Sequence, residues 1–308
     1  MLLLSLLLTL VTEHFRPITH KLPAYFQFSR YAQWVERHVN AGLYHHGVLA
    51  WLAALLPIVL IVGVIDYFLS ELHPLLGMAW KIAVLYLTMG FKHFSDSARE
   101  VAGALRGNNI ELARKLIARW HNRPTEQLNA DEIARLSIER TFIYAHRHLF
   151  GIIAWFLLLG AAGAVLYRLA HVLYQLWSTL EESNHGVFGR FAVRAFAWMD
   201  WLPARLTAAS FAIVGNFEDA VYCWRYQAST WSQIRLGLLL ASGAGALGVR
   251  LGESLTYLGG AEQRPQLGLG EEADADFLEG AVSLIWRALL LWLAILFLIY
   301  LGYWLGQA

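Results

Sequence analysis

The stretch VLAWLAALLPIVLIVGVIDYF, from Val48 to Phe68, is apolar throughout except for Asp66. As an α-helix it is long enough to cross the roughly 30 Å hydrocarbon core of a bilayer. A polar turn from Ser70 to Pro74 follows, where proline ends one helix and begins the next. The run from Leu75 to Phe91 is again apolar. This pattern predicts a transmembrane helical hairpin.

Further apolar runs follow along the chain. Leu149–Tyr167 predicts a third span, with glycine and alanine residues suited to close helix packing. Val282–Tyr303 predicts the last span and ends in aromatic residues typical of a membrane interface. Two weaker runs, Leu202–Val214 and Leu236–Val249, are short or rich in small residues, so each fits either a half-span or a buried helix. The fold class expected is therefore all-α, a polytopic helical integral membrane protein.

The composition agrees with this fold class, because 57% of the 308 residues are hydrophobic and 15% are charged. The formal net charge of +1 lacks the basic excess of a nucleic-acid-binding protein. The one cysteine, Cys223, excludes an internal disulfide. The expected surroundings are a lipid bilayer that the chain crosses several times, and no nucleic acid partner is expected.

The same patterns divide the chain into four segments. Residues 1–45 form a short apolar anchor with a basic segment, 46–91 the hairpin, 92–147 a small cytoplasmic helical segment, and 148–308 the remaining membrane helices. The stretch 13–45 carries four Lys and Arg, and 92–147 carries ten. Because two spans separate these basic segments, both lie on one face, and the positive-inside rule predicts the cytoplasm.

Helix caps organise the cytoplasmic segment. Ser95 or Asp96 predicts the start of a helix that Gly107 ends, and Asn109 predicts the cap of a second. A third helix begins after Asn129, with acidic residues in its first turn. These basic helices offer a contact surface for a protein partner, and a homo-oligomer is also compatible with the sequence.

Three separated motifs connect this chain with a known family. The first comprises ELAR at 111–114, RPTEQL at 123–128, and IAR at 133–135 with Glu139. The second is DWLPARLT at 200–207, and the third is GALGVRLG at 245–252. In this order and spacing they resemble the CobD/CbiB proteins of cobalamin biosynthesis. The related AmpE branch, linked to regulation of β-lactamase induction, is also similar around 199–203.

The CobD/CbiB resemblance implies a multi-pass enzyme of the bacterial inner membrane. Such an enzyme uses Mg-ATP to join an aminopropanol phosphate to a carboxyl group of adenosylcobyric acid, a corrinoid. It also implies residues that bind a ligand or partner. We expect these to be Arg123, Thr125, Arg135, Glu139, Arg205 and Arg250.

Five family motifs depart here from their usual residues. The family's carboxylates and amides are replaced at 122–125, 143–148, 171–176 and 233–240, and its N-terminal motif has no counterpart around 12–23. Apolar or basic side chains cannot replace the hard oxygen ligands that Mg²⁺ requires. We therefore predict no catalytic residues, no metal site and no cofactor in a member that has lost synthase chemistry.

Three hypotheses follow. The first is a binding protein that acts as a regulatory, sensing or assembly component. The alternative is an active ATP-dependent adenosylcobinamide-phosphate synthase, with candidate acids Asp131, Glu132, Glu139 and Asp200 and with the arginines holding phosphates or corrin carboxylates. The third is a small-molecule or ion pathway at a predicted intramembrane ion pair, Asp66 and Lys81. A flux into proteoliposomes that Asp66→Asn abolished would support it.

Overall fold

In a computed structural model the chain is almost entirely helical. The structure describes residues 2–15, 23–119, 125–182, 187–257, 260–262 and 264–306. The helices are α1 (Leu2–Phe15), α2 (Pro23–Val39), α3 (Tyr44–Leu72), α4 (Pro74–Thr88), α5 (Phe91–Arg106), α6 (Ile110–Ala118), α7 (Ala130–Ala145), α8 (Gly151–Glu182), α9 (Arg190–Met199), α10 (Trp201–Val214), α11 (Phe217–Tyr226), α12 (Ile234–Leu247) and α13 (Ala275–Leu305). A π-helical turn (His146–Phe150), a 3₁₀ turn (Ala228–Thr230) and two short antiparallel strands, β1 (Leu255–Tyr257) and β2 (Gly260–Glu262), complete it.

The chain folds as two compact units. The first unit comprises Met1–Phe91 and Arg147–Leu202, and the second comprises Lys92–His146 and Pro203–Ala308. The division into four segments expected from the sequence remains a prediction. Within the second unit, α7 packs against α12 and α13.

Among the described residues, three helical stretches are long and apolar enough to cross a membrane. They are Tyr44–Leu72, the stretch Ala130–Ser178, and Ala275–Leu305. The first and third contain the predicted spans Val48–Phe68 and Val282–Tyr303, which confirms the helical membrane class. The α3–α4 turn also agrees with its prediction, because Pro74 opens α4 and the His73 side chain accepts a hydrogen bond from the backbone N–H of Leu75.

The predicted third span, Leu149–Tyr167, lies within the candidate stretch Ala130–Ser178, but it is not a straight helix, because α8 folds back at Gly160. Gly160 has φ 62° and ψ −148°, a conformation that is essentially restricted to glycine. A Cβ on Gly163 would lie 2.0 Å from the carbonyl oxygen of Trp155, although residues eight apart in a straight helix are separated by about 12 Å. The arms 151–159 and 161–182 therefore run antiparallel, and we call this element the α8 hairpin.

The two weaker apolar runs form α10 and α12. In α12 every residue from Gly237 to Ala246 is buried, so protein surrounds this helix within its unit. The buried-helix reading of Leu236–Val249 is thereby favoured over a half-span. Side-chain caps also appear where they were expected, since Asn109 caps α6 and Asn129 caps α7.

Helix α5 starts earlier than its predicted cap. It begins at Phe91 rather than after Ser95 or Asp96, because Ser95 is buried in the helix and offers no terminus. The end of α5 agrees with the prediction, since the helix stops at Arg106, immediately before Gly107.

Candidate functional site

Helix α7 presents a row of charged side chains that are buried in the second unit. The helix starts with a capping box, in which Asn129 accepts from the backbone of Glu132 and donates its own N–H to the Glu132 carboxylate, both at 2.8 Å. Glu132, Arg135 and Glu139 then recur at helical spacing, which puts them on one face. All three are more than nine-tenths buried. Burial at this level requires partners from elsewhere in the chain.

Those partners come from the segment after α12, which we call the strap (residues 248–257 and 264–271). It doubles back on itself through a bridge between Leu251 and Leu267. Gly252, at φ 76°, makes the close approach possible, because a Cβ there would lie 2.0 Å from the carbonyl oxygen of Pro265. Gly268 has the same role against Val249, with a contact of 2.1 Å.

Glu139 is the centre of the contacts between α7 and the strap. Its Oε1 accepts from the backbone N–H of Gly252 at 3.0 Å, and its Oε2 accepts from Nη1 of Arg264 at 2.7 Å. Nη2 of Arg264 adds a third hydrogen bond at 3.2 Å to Oε1. The Arg264 guanidinium also lies 5.4 Å from the centroid of the Trp231 ring, a cation–π contact. Both oxygens of Glu139 are therefore engaged by protein donors.

The neighbouring charges are held in the same way. Arg135 pairs with the carboxylate of Glu253 and approaches the carbonyl oxygens of Gly252 and Ser254, both at 3.4 Å. Oε1 of Glu132 accepts from the N–H and the hydroxyl of Thr256, at 2.8 and 2.9 Å. Together these contacts form what we call the α7–strap cluster.

The other expected site residues lie in several places. Thr125 is buried and donates its hydroxyl to the carbonyl oxygen of Arg114 at 3.0 Å, which stabilises the start of the segment that leads to α7. Arg250 belongs to the strap, where its guanidinium pairs with the exposed Glu272 at 3.2 Å. Arg205 lies half-buried on α10. Arg123 lies outside the described residues.

Asp66 and Lys81 face each other in the first unit. The Lys81 ammonium donates to Asp66 at 2.7 Å and to Ser70 at 3.1 Å, so it joins α3 to α4. A Cβ on Gly160 would lie 3.4 Å from Oδ2 of Asp66, which places this ion pair beside the turn of the α8 hairpin. The pair thus holds two arms of the first unit in register.

Two of the segments that we expect to differ from the family motifs, 143–148 and 171–176, meet across the α8 hairpin. The rings of His148 and His171 lie 5.7 Å apart at 86°, and the Arg147 guanidinium lies 5.6 Å from the Tyr174 ring. Within the described ranges, no group of three or more His, Cys, Asp or Glu side chains has the arrangement of a metal site.

Sequence reasoning missed Arg264, Glu253 and Thr256 as members of the cluster. Arg264 is 125 residues from Glu139 and lies outside any helix or strand, so no periodic pattern marks it. Gly252 was included in a quoted motif, but its pairing with Glu139 could not be read from that motif. Of the six expected residues, the structure brings Arg135 and Glu139 together.

The fold is that of a helical membrane protein with a buried charged cluster on α7. Comparison with other proteins identifies the family of this membrane protein. The family of CobD/Cbib proteins matches residues 2–285. The chain belongs to this family.

Individual relatives carry the same name. A cobalamin biosynthesis protein CobD from Stutzerimonas stutzeri (strain A1501) is 36% identical over 273 residues, which cover 87% of this chain and 88% of that protein. A protein of the same name from Chromobacterium violaceum is 38% identical over 222 residues, which cover 72% of this chain and 71% of that protein. One from Leptospira interrogans is 31% identical over 65% of each chain. No solved structure matches this chain.

Proposed function

We propose that this chain acts in cobalamin biosynthesis as an adenosylcobinamide-phosphate synthase of the inner membrane, which forms the amide between adenosylcobyric acid and aminopropanol phosphate. The observation that carries the proposal is the family relationship over nearly the whole chain, with a relative named cobalamin biosynthesis protein CobD that is 36% identical along 87% of it. Relatedness of this extent favours a shared role over a regulatory one.

The α7–strap cluster supports the proposal at the level of structure. Two of the segments that resemble the family supply its central contacts, since Arg135 and Glu139 belong to one and Gly252 to the other. The resemblance therefore falls on residues that contact each other. The cluster supplies a rigid and charged framework on which the substrates of this enzyme class can be held.

Magnesium is implied by the family, and the candidate acids do not fit it as they are placed. Both oxygens of Glu132 and of Glu139 accept hydrogen bonds from protein donors. Asp200 is buried and accepts from the hydroxyl of Tyr167 at 2.7 Å, whereas Asp131 is exposed on the first turn of α7. Because Mg²⁺ needs available oxygen ligands in octahedral geometry, we derive no step of the reaction through it.

A second candidate function is the binding protein without synthase activity, with a protein partner at the basic helices. The observation in its favour is that three of the four candidate acids are engaged by protein donors, which accords with the expectation from the sequence that the family's carboxylates and amides have been replaced. Under this hypothesis the family scaffold remains while the chemistry is absent.

Complementation separates the two functions. The full chain is expressed in a bacterial strain that lacks its own synthase and is supplied with cobyric acid, with membrane abundance measured by immunoblot. The proposal expects growth for the wild type and for the control Arg37→Gln, whose side chain is exposed on α2. A chain that is abundant in the membrane but gives no growth contradicts the synthase function and favours the binding protein.

A further inference from the structure

The base of the α8 hairpin collects basic side chains. We define the hairpin-base cluster as Arg147, His148, Arg168, His171 and Tyr174. The turn at Gly160 brings the two sides together, because the rings of His148 and His171 are 5.7 Å apart and those of His171 and Tyr174 stack at 6.3 Å. These contacts, with that of Arg147 on Tyr174, connect four members of the cluster, and Arg168 lies three residues before His171 on the same arm.

The part of the chain that the structure describes supplies no counter-ion to Arg147. Among the described residues its guanidinium makes no hydrogen bond or ion pair, and its polar contact is the face of the Tyr174 ring at 5.6 Å. Its Nε is buried, while the residue as a whole is partly exposed. A partly buried cation without an acceptor is costly, and an anion that entered from outside the bundle would offset this cost.

Arg168, on the second arm of the hairpin, is likewise a cation that contacts an aromatic ring. Its guanidinium lies 4.6 Å from the ring of Tyr25, its Nε is buried, and no carboxylate of the described residues pairs with it. Asp200 on the neighbouring segment accepts a hydrogen bond from Tyr167. The local excess of positive charge is thus not balanced by an ion pair to either arginine.

We propose that the hairpin-base cluster is a binding site for a phosphate group, with Arg147 as its principal contact. The planar guanidinium fork matches the oxygens of a phosphate, and the Tyr174 ring lies 5.6 Å from it. The phosphate can come from a soluble ligand or from a lipid headgroup, because the cluster lies in a unit that contains a predicted membrane hairpin. The site does not depend on the proposed synthase activity.

Binding of inorganic phosphate to the full chain in a neutral detergent, measured by titration calorimetry, tests the soluble source. Arg147→Gln removes the charge and keeps most of the side-chain volume, and its matched control is Arg37→Gln on the exposed face of α2. Loss of a charge-assisted contact is expected to weaken phosphate binding by about tenfold or more in Arg147→Gln and not in the control.

A second experiment tests a lipid headgroup as the source of the phosphate. The same proteins are reconstituted in phosphatidylcholine nanodiscs with or without phosphatidic acid, and native mass spectrometry counts the phosphatidic acid that each retains. Retention by the wild type and by Arg37→Gln, but not by Arg147→Gln, supports a lipid phosphate.

The proposal is wrong if wild-type protein binds neither probe, a result that requires no variant to fold. It is also wrong if a soluble Arg147→Gln protein, with an unfolding temperature equal to that of the control, binds both probes as the wild type does. Neither result bears on complementation of the synthase, so the two proposals fail separately.

Discussion

At the scale of single residues, the chain contains two kinds of ion pair with different expected energies. Glu139 is buried and Arg264 is largely buried, with side-chain exposures of 4% and 12%. Arg106 instead pairs with Asp276 and Glu279 at the surface. Solvent screens the surface pairs, whereas removal of one partner from the buried pair leaves a charge with incomplete compensation.

Arg264→Met is expected to lower the free energy of unfolding by about 3 kcal/mol, because Glu139 would keep a single N–H donor, that of Gly252. Thermal unfolding of the detergent-solubilised protein measures the change. The double variant Glu139→Gln/Arg264→Met is expected to recover part of the loss, since the buried charge is then gone.

Arg106→Met is the matched control, and we expect no measurable change in its unfolding temperature. Equal losses in the Arg264 and Arg106 variants would contradict the role assigned to the buried pair.

At the scale of elements, glycines decide where the chain turns and how closely it approaches itself. Gly160 reverses α8, and Gly252 lets the two halves of the strap meet. In both cases φ is positive, a conformation that residues with a Cβ adopt at a cost. These two glycines therefore determine the path of the backbone.

Gly252→Ala is expected to loosen the strap, because the added methyl group would collide with the carbonyl oxygen of Pro265 at a φ of 76°. The measurement is limited trypsin digestion, with cleavage expected to accelerate after Arg250, which Leu251 follows. The companion substitution is Gly103→Ala in α5, where the added Cβ meets no atom within 4 Å. There we expect unchanged digestion and a gain of about 0.5–1 kcal/mol in helix stability. Unchanged cleavage in both variants would show that Gly252 does not hold the strap.

At the scale of the whole molecule, the distribution of Lys and Arg predicts sidedness. The segments 13–45 and 92–147 are both basic, and α3 and α4 separate them. The α3–α4 turn at His73 is therefore expected on the opposite, periplasmic side.

Single-cysteine labelling in intact cells tests this arrangement. Cys223 is buried. Burial is the larger cause, and the nearby charge of Asp219 the smaller one, that raises the pKa of its thiol to about 11. This thiol should therefore react slowly in the folded protein. In a Cys223→Ala background, a membrane-impermeant maleimide should label His73→Cys. Asn40→Cys and Asn108→Cys should react after permeabilisation. Labelling of all three in intact cells would contradict the predicted sidedness.

Local signals in the sequence sufficed for much of the fold. The α3–α4 hairpin follows from an apolar run and one proline, and the caps of α6 and α7 follow from Asn109 and Asn129. Each of these depends on residues within a few positions of one another, which is why the sequence alone specifies them. The three motifs likewise suffice to indicate the family, because each is a short run of neighbouring residues.

Tertiary structure alone decided the reversal of α8 and the partners of the buried charges. Hydropathy cannot distinguish a straight span from the α8 hairpin, because both arms are apolar and the reversal depends on the backbone of Gly160. The partner of Glu139 lies 125 residues away at Arg264, and the partner of Arg147 across the hairpin is Tyr174. Contacts between distant residues arise when helices pack and leave no periodic pattern along the chain. The charged cluster and the hairpin base are therefore products of the three-dimensional packing.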